Sequence, residues 1–173
     1  IPQMKNACDR DLWKTEILRF KDKIEEVTGN TITAEKLRAA TKIVNDRRRA
    51  LQRLNQLRAA SPVPISGRDV LLINQVSFYD NPVRFTQQIN KLCDELAERV
   101  KAHQGIVPEN TPRLMLSGCP MAVPNWKLPF VVESSGAVIV GEESCIGTRN
   151  TRDLVVEGGQ SLEEMLDALA ERY

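Results

Sequence analysis

The chain has 173 residues, a length for one domain, or for a helical layer beside one small α/β unit. Hydrophobic residues make up 42% and charged residues 27%, enough apolar material for a core without disulfide staples. With 24 basic and 23 acidic residues the net charge is +1, so no global field selects nucleic acid or an anionic membrane surface. No apolar run approaches the roughly 18 residues of a membrane span.

The chain opens Ile1-Pro2-Gln3-Met4, with no initiator Met and no basic-then-apolar signal segment. It stops at Arg172-Tyr173 without a Gly or Pro stop signal. These ends lead to the expectation of an excised fragment. Residues 1–105 read as a helical segment. Trp13, Ile17, Phe20, Ile24 and Val27 recur at three and four residues and form one apolar stripe, ended by Gly29-Asn30. Thr33 caps a second helix to about Ala60, with Leu37, Val44, Leu51 and Leu54 inward. Ser61-Pro62-Val63-Pro64 breaks it, and Ser66-Gly67-Arg68-Asp69 opens a short helix over Val70, Leu71, Ile73 and Val76. Asn81-Pro82 starts a long helix with Phe85, Ile89, Leu92, Leu96 and Val100 on one face.

After His103-Gln104-Gly105 the pattern changes, and residues 106–173 read as an α/β unit. Arg113 to Ser117 is expected to be a short buried strand ended by Gly118-Cys119-Pro120. A short helix over Trp126 to Ser134 turns at Ser135-Gly136 into a second buried strand, Ala137 to Val140. Ser161-x-x-Glu164 opens a last helix with Leu162, Met165, Leu166 and Leu169 inward. The fold class is α/β: a helical N-terminal segment followed by a parallel βαβ unit. Two strands do not make a stable doubly covered sheet, so the unit is expected to be truncated.

Four cysteines stand at 8, 93, 119 and 145, with no CxxC. Without a secretion signal this spacing argues against a disulfide framework and for a reducing, cytoplasmic setting. Ligands of parallel sheets sit beyond the carboxyl ends of strands. Both expected strands run there into a cysteine-bearing loop, Gly118-Cys119-Pro120 and Ser144-Cys145-Ile146-Gly147-Thr148-Arg149. Parallel strands bring the two loops to one side, so Cys119 and Cys145 are the candidate metal and cofactor ligands, with Arg149 and Arg152 nearby to stabilise thiolate charge. The alternative is that both fill strand ends as small apolar core residues. No His lies near either cysteine, His103 being the only one, so a nucleophilic site is disfavoured, and no catalytic residue is assigned. Two thiols and a distant His make a poor zinc site; iron–sulfur ligation by thiolates from several loops fits better.

The remaining features have plainer readings. Cys8 at a helix start and Cys93 on a helix face are not expected to be ligands. Arg47-Arg48-Arg49 reads as a solvated face, or as a docking patch for an acidic partner. His103 ends a helix, a place that favours a basic residue and needs no other role, and Trp126 packs over the sheet. No GxxxxGK-S/T run occurs, so a P-loop is absent from the sequence.

Arg113-Leu114-Met115-Leu116-Ser117-Gly118-Cys119-Pro120 resembles the signature strand and turn of the second α/β domain of the 2-hydroxyacyl-CoA dehydratase / benzoyl-CoA reductase family. Glu133 to Val140, continuing through Glu143-Ser144-Cys145-Ile146-Gly147-Thr148-Arg149, is similar to the family's next element. Pro2-Gln3-Met4-Lys5-Asn6 and the helix carrying Trp13 resemble its link out of the first domain. The Glu-Ser-Cys-Ile-Gly-Thr-Arg wording is closest to the double-cubane cluster branch. The resemblance implies a Rossmann-like, cluster-binding α/β domain. It implies an iron–sulfur cluster, 4Fe-4S or double-cubane, in the full-length parent, with Cys119 and Cys145 among its ligands. It also implies an ATP-hydrolysing iron–sulfur activator protein as electron donor, a homo- or heterodimer partner subunit, and a CoA thioester as substrate. Members dehydrate 2-hydroxyacyl-CoA through a one-electron ketyl step or reduce aromatic rings or small molecules. A fragment with two ligands is expected to be inactive and cluster-free alone. The competing reading is a non-catalytic α/β binding or assembly module with structural cysteines.

Overall fold

The structure is a computed structural model, and it describes residues 6–121 and 124–172. The Pro2-Gln3-Met4-Lys5 run of the family resemblance lies outside them. The order of elements is α1 (Ala7–Thr28), α2 (Ala34–Arg58), α3 (Gly67–Val76), α4 (Pro82–Lys101), β1 (Arg113–Ser117), α5 (Lys127–Ser134), β2 (Val138–Glu143), α6 (Thr148–Arg152) and α7 (Leu162–Arg172). Contacts divide the chain into two compact units, Ile1–Asn45 with Leu154–Tyr173, and Asp46–Asp153. The division falls within α2.

Helix boundaries follow local chemistry. The Asn6 side chain accepts the Asp9 N–H at 2.8 Å to start α1, and the Gly29 N–H closes it on the Glu25 carbonyl at 2.9 Å. The Thr33 hydroxyl accepts from Lys36 N at 3.2 Å, and Ser66 Oγ accepts from Asp69 N at 3.1 Å. Asn81 Oδ1 takes the amides of Val83 and Arg84 at 3.0 and 3.1 Å, and Pro82 follows at the first helical position, where no N–H is needed. Ser161 and Glu164 cap α7, with Glu164 N donating to Ser161 Oγ at 3.1 Å.

In the first unit α1 packs on α7, tied by Lys14–Asp167 at 2.9 Å. Met165 and Leu166 of α7 are buried. Asn45 is fully buried, and its amide donates to Val155 O at 2.7 Å while its Oδ1 accepts from Val155 N at 3.1 Å. This pairing satisfies the backbone of a segment that has no strand partner of its own. The apolar stripe of α1 is only half covered, and none of its residues is fully buried. Phe20 and Val27 are 67% and 72% exposed, because the ion pairs that seat α7 lie along the first half of α1.

The second unit holds the main apolar core: Ala50, Leu51, Leu54, Ile65, Val70, Phe85, Ile89, Cys93 and Leu96. Full burial of each large aliphatic or aromatic side chain contributes about 1.5–3 kcal/mol. The surface reading of Arg47-Arg48-Arg49 is corrected at its centre. Arg48 is buried and Arg47 donates to the Ser77 carbonyl at 2.9 Å, so α2 turns this basic run partly inward.

β1 and β2 pair in parallel with α5 as the crossover, which is the expected βαβ unit and makes the fold mixed α/β. The register runs from Arg113↔Val138 to Ser117↔Glu143, with an irregularity between Leu114 and Met115 that leaves Val140 as the extra residue of β2. Val138 and Ile139 are buried as expected for β2. The buried reading of β1 is overturned: Leu114 and Met115 are 42% and 67% exposed. Among the described residues β1 pairs with β2 alone, and its other edge carries no strand.

Candidate functional site

Ser117 and Glu143 are register partners at the carboxyl ends of the two strands. Cys119 and Cys145 each stand two residues beyond those paired ends, so the βαβ geometry brings both thiol-bearing turns to the same end of the sheet. Both cysteines are exposed. The two loops are also stitched together. Gly118 N donates to Glu143 O at 3.3 Å, and Ser117 Oγ donates to Glu143 Oε2 at 3.2 Å.

The first turn needs Gly118, which sits at φ +129°, a backbone conformation that side-chain-bearing residues rarely adopt. Its far side is anchored by Gln75 of α3, whose amide donates to the Met121 carbonyl at 2.6 Å. The second turn leads from β2 into α6. Arg149, in the first turn of α6, is held by both carboxylate oxygens of Glu143 and has the Cys145 side chain as a further partner. The Arg149 guanidinium holds the Glu143 carboxyl below the usual carboxylate range.

A cleft of about 190 Å³ opens between the turns, lined by Leu116, Ser117, Gly118, Cys119, Met121, Leu128, Glu142 and Ser144. Cys119 is the one cysteine of this lining, and Cys145 stands beyond it in the second turn; soft sulfur donors on two loops fit an iron–sulfur cluster, for which they would be two of a usual four ligands. Among the described residues no group of three or more His, Cys, Asp or Glu side chains is gathered to hold a metal. Two thiols alone do not make a closed metal site.

The other cysteines lie elsewhere. Cys8 is exposed in the first turn of α1. Cys93 is fully buried in the core, its sulfur 4.0 Å from Ala50 O, and burial pushes its thiol up to about 11. Trp126 lines a surface groove with Arg68, Asp69, Leu72 and Phe130. Sequence reasoning passed over Arg58, Glu142 and Ser144, all buried around the Cys145 turn. It also passed over Glu133, whose carboxylate accepts from Gly67 N at 2.7 Å and pairs with Arg68 at 3.1 Å.

A profile of the family described as "2-hydroxyglutaryl-CoA dehydratase, D-component" matches residues 1–173. The chain belongs to this family. Among its relatives is YjiM of Escherichia coli (strain K12), named as a dehydratase subunit, 33% identical over 98% of this chain and 43% of that protein. One of the benzoyl-CoA reductase subunits of Thauera aromatica is 27% identical over 88% of this chain and 38% of that protein. The beta subunit of (R)-phenyllactyl-CoA dehydratase of Clostridium sporogenes is 22% identical over 99% of this chain and 44% of that protein. The chain thus spans roughly two fifths of the length of these curated relatives. No helix among the described residues is long and apolar enough to cross a membrane.

Proposed function

We propose that this chain is part of an iron–sulfur subunit that accepts low-potential electrons from an ATP-hydrolysing activator. It would use them to dehydrate a 2-hydroxyacyl-CoA or to reduce a small substrate. In this reading Cys119 and Cys145 ligate one cluster, 4Fe-4S or double-cubane, in the cytoplasm, and residues 106–173 form the cluster-binding domain behind the helical segment 1–105. The observation that carries it is the placement of two exposed cysteines, each two residues past a register-paired parallel strand end. A cysteine kept only for packing is buried, as Cys93 is.

When bound, the cluster supplies one-electron transfer at low potential. The chain's own residues prepare the ground for it. Gly118 lets the first turn bend away from the sheet, and Arg149 offsets negative charge beside Cys145. Two of the relatives carry the names of a benzoyl-CoA reductase and a phenyllactyl-CoA dehydratase, each as one of several subunits, which supports a CoA thioester substrate and a homo- or heterodimer partner.

The test uses the full-length protein, reconstituted anaerobically. Replacing Cys119 or Cys145 by Ser exchanges a soft thiolate for a hard, poorly ionised hydroxyl. Each variant is expected to lose iron and ATP-dependent electron uptake, with a melting point no lower than that of cluster-free wild type. Normal iron with a lowered melting point would make the two cysteines packing residues and overturn the reading.

A further inference from the structure

Beneath the Cys145 turn lies a chain of buried polar groups. Glu142 and Ser144, which precede Cys145 at three positions and one, are 4% and 2% exposed. Ser144 Oγ donates its one proton to Glu142 Oε1 at 2.7 Å. Its lone pairs are thereby left to accept, and Gly147 N donates to the same oxygen at 3.1 Å. The direction of the second bond is fixed, because an amide N–H only donates. The Thr148 hydroxyl, one residue on, donates to the Glu142 carbonyl at 3.1 Å. The four residues from Ser144 to Gly147 therefore close into one ring of hydrogen bonds, with Cys145 on its outer, exposed side.

Two further observations show that the ring is built. A Cβ at Gly147 would lie 2.4 Å from the Glu142 carbonyl oxygen, so only glycine allows the turn to close this tightly. Arg58, at the end of α2, is 1% exposed and donates from Nη2 to the Ile139 carbonyl at 3.4 Å. Its charge lies in the field of Glu142 and Glu133. A buried carboxylate is costly unless charge and hydrogen bonds compensate it. Ser144 supplies one such hydrogen bond to Glu142.

We propose that Glu142, Ser144 and Gly147 are positioning residues that hold Cys145 in the geometry of a cluster ligand. None of them touches a metal in this arrangement. They act through the backbone of the turn and restrict where the Cys145 sulfur can go. The proposal rests on Cys145 being a ligand, as proposed above.

The test labels the cluster-free full-length protein with iodoacetamide and follows each cysteine separately by peptide mass spectrometry. Iron retention against a chelator is measured on the reconstituted protein. Ser144→Ala removes the hydroxyl bonds and leaves only the Gly147 N–H on the Ser144 carbonyl at 3.2 Å, whereas Gly147→Ala displaces the Glu142 carbonyl, so failure of one variant to fold leaves the other to decide. In either, iron should be lost faster, and the labelling rate of Cys145 relative to Cys119 should depart from its wild-type value. Cys119 should be labelled at the wild-type rate. Cys93, buried in the core, reports general loosening, and its rate should also hold. If Cys93 labelling rises in step with Cys145, or Cys145 labelling does not change, the positioning role is overturned. Cys145→Ser separates this from the underlying reading. Full iron in Cys145→Ser overturns the ligand assignment and the proposal with it. Iron lost there but fully retained in both ring variants overturns the positioning role alone.

Discussion

Cys93 and Cys145 carry the same thiol and differ in everything around it. The first sits among Leu96, Ile89 and Ala50 with its ionisation suppressed by burial; the second stands in solvent beside a guanidinium. Cys93→Ser should therefore place a hydroxyl in an apolar core, at a cost of about 1–3 kcal/mol when it finds no partner. A urea melt should show this loss while the iron content of the full-length protein stays at the wild-type level. The contrast was readable in advance, because Cys119 and Cys145 follow apolar strand runs while Cys93 lies inside a helical stripe. The ring around Cys145 was not. Leu114 pairs with Ile139 but Leu116 pairs with Glu142, so the extra residue in β2 puts Glu142 on the face of Ile139. Regular alternation would have put Glu143 there, and no local rule locates a bulge.

Among the elements, the turn from α1 to α2 is tied back to α1 by the Glu25 carboxylate. Glu25 accepts from Lys21 Nζ at 2.8 Å and from the Ile32 backbone N–H at 2.6 Å. The Lys21 hydrogen bond first, then the Ile32 amide, hold its carboxyl below the usual range. A depressed acid contributes stability that is complete above the unfolded carboxylate pKa and is lost as pH falls through the folded value. Melting temperature should therefore fall across that acidic window, and Glu25→Gln should flatten this part of the profile. An unchanged profile in Glu25→Gln would show that the turn does not depend on the charge. Helix ends such as Gly29, Thr33, Ser66 and Asn81 were legible because capping is local chemistry. The exposure of Phe20, Val27 and β1 was not, since periodicity shows which residues share a face but not what covers it.

At the scale of the whole molecule, the proposed reading has this stretch supply part of a cluster's ligands and residues outside it supply the others. The isolated chain should then be colourless, with no absorbance band near roughly 400 nm, where thiolate-to-iron charge transfer falls. Such a band after aerobic purification would show that these residues hold a cluster unaided. The central claim is that Cys119 and Cys145 serve one object rather than two. The most direct measurement of it is iron per protein in anaerobically reconstituted full-length Cys119→Ser, Cys145→Ser and the double variant. Ligands of a shared cluster do not act independently, so each single substitution should remove as much iron as both together. Losses that add from the single variants to the double, or iron unchanged in either single variant, would contradict the shared site.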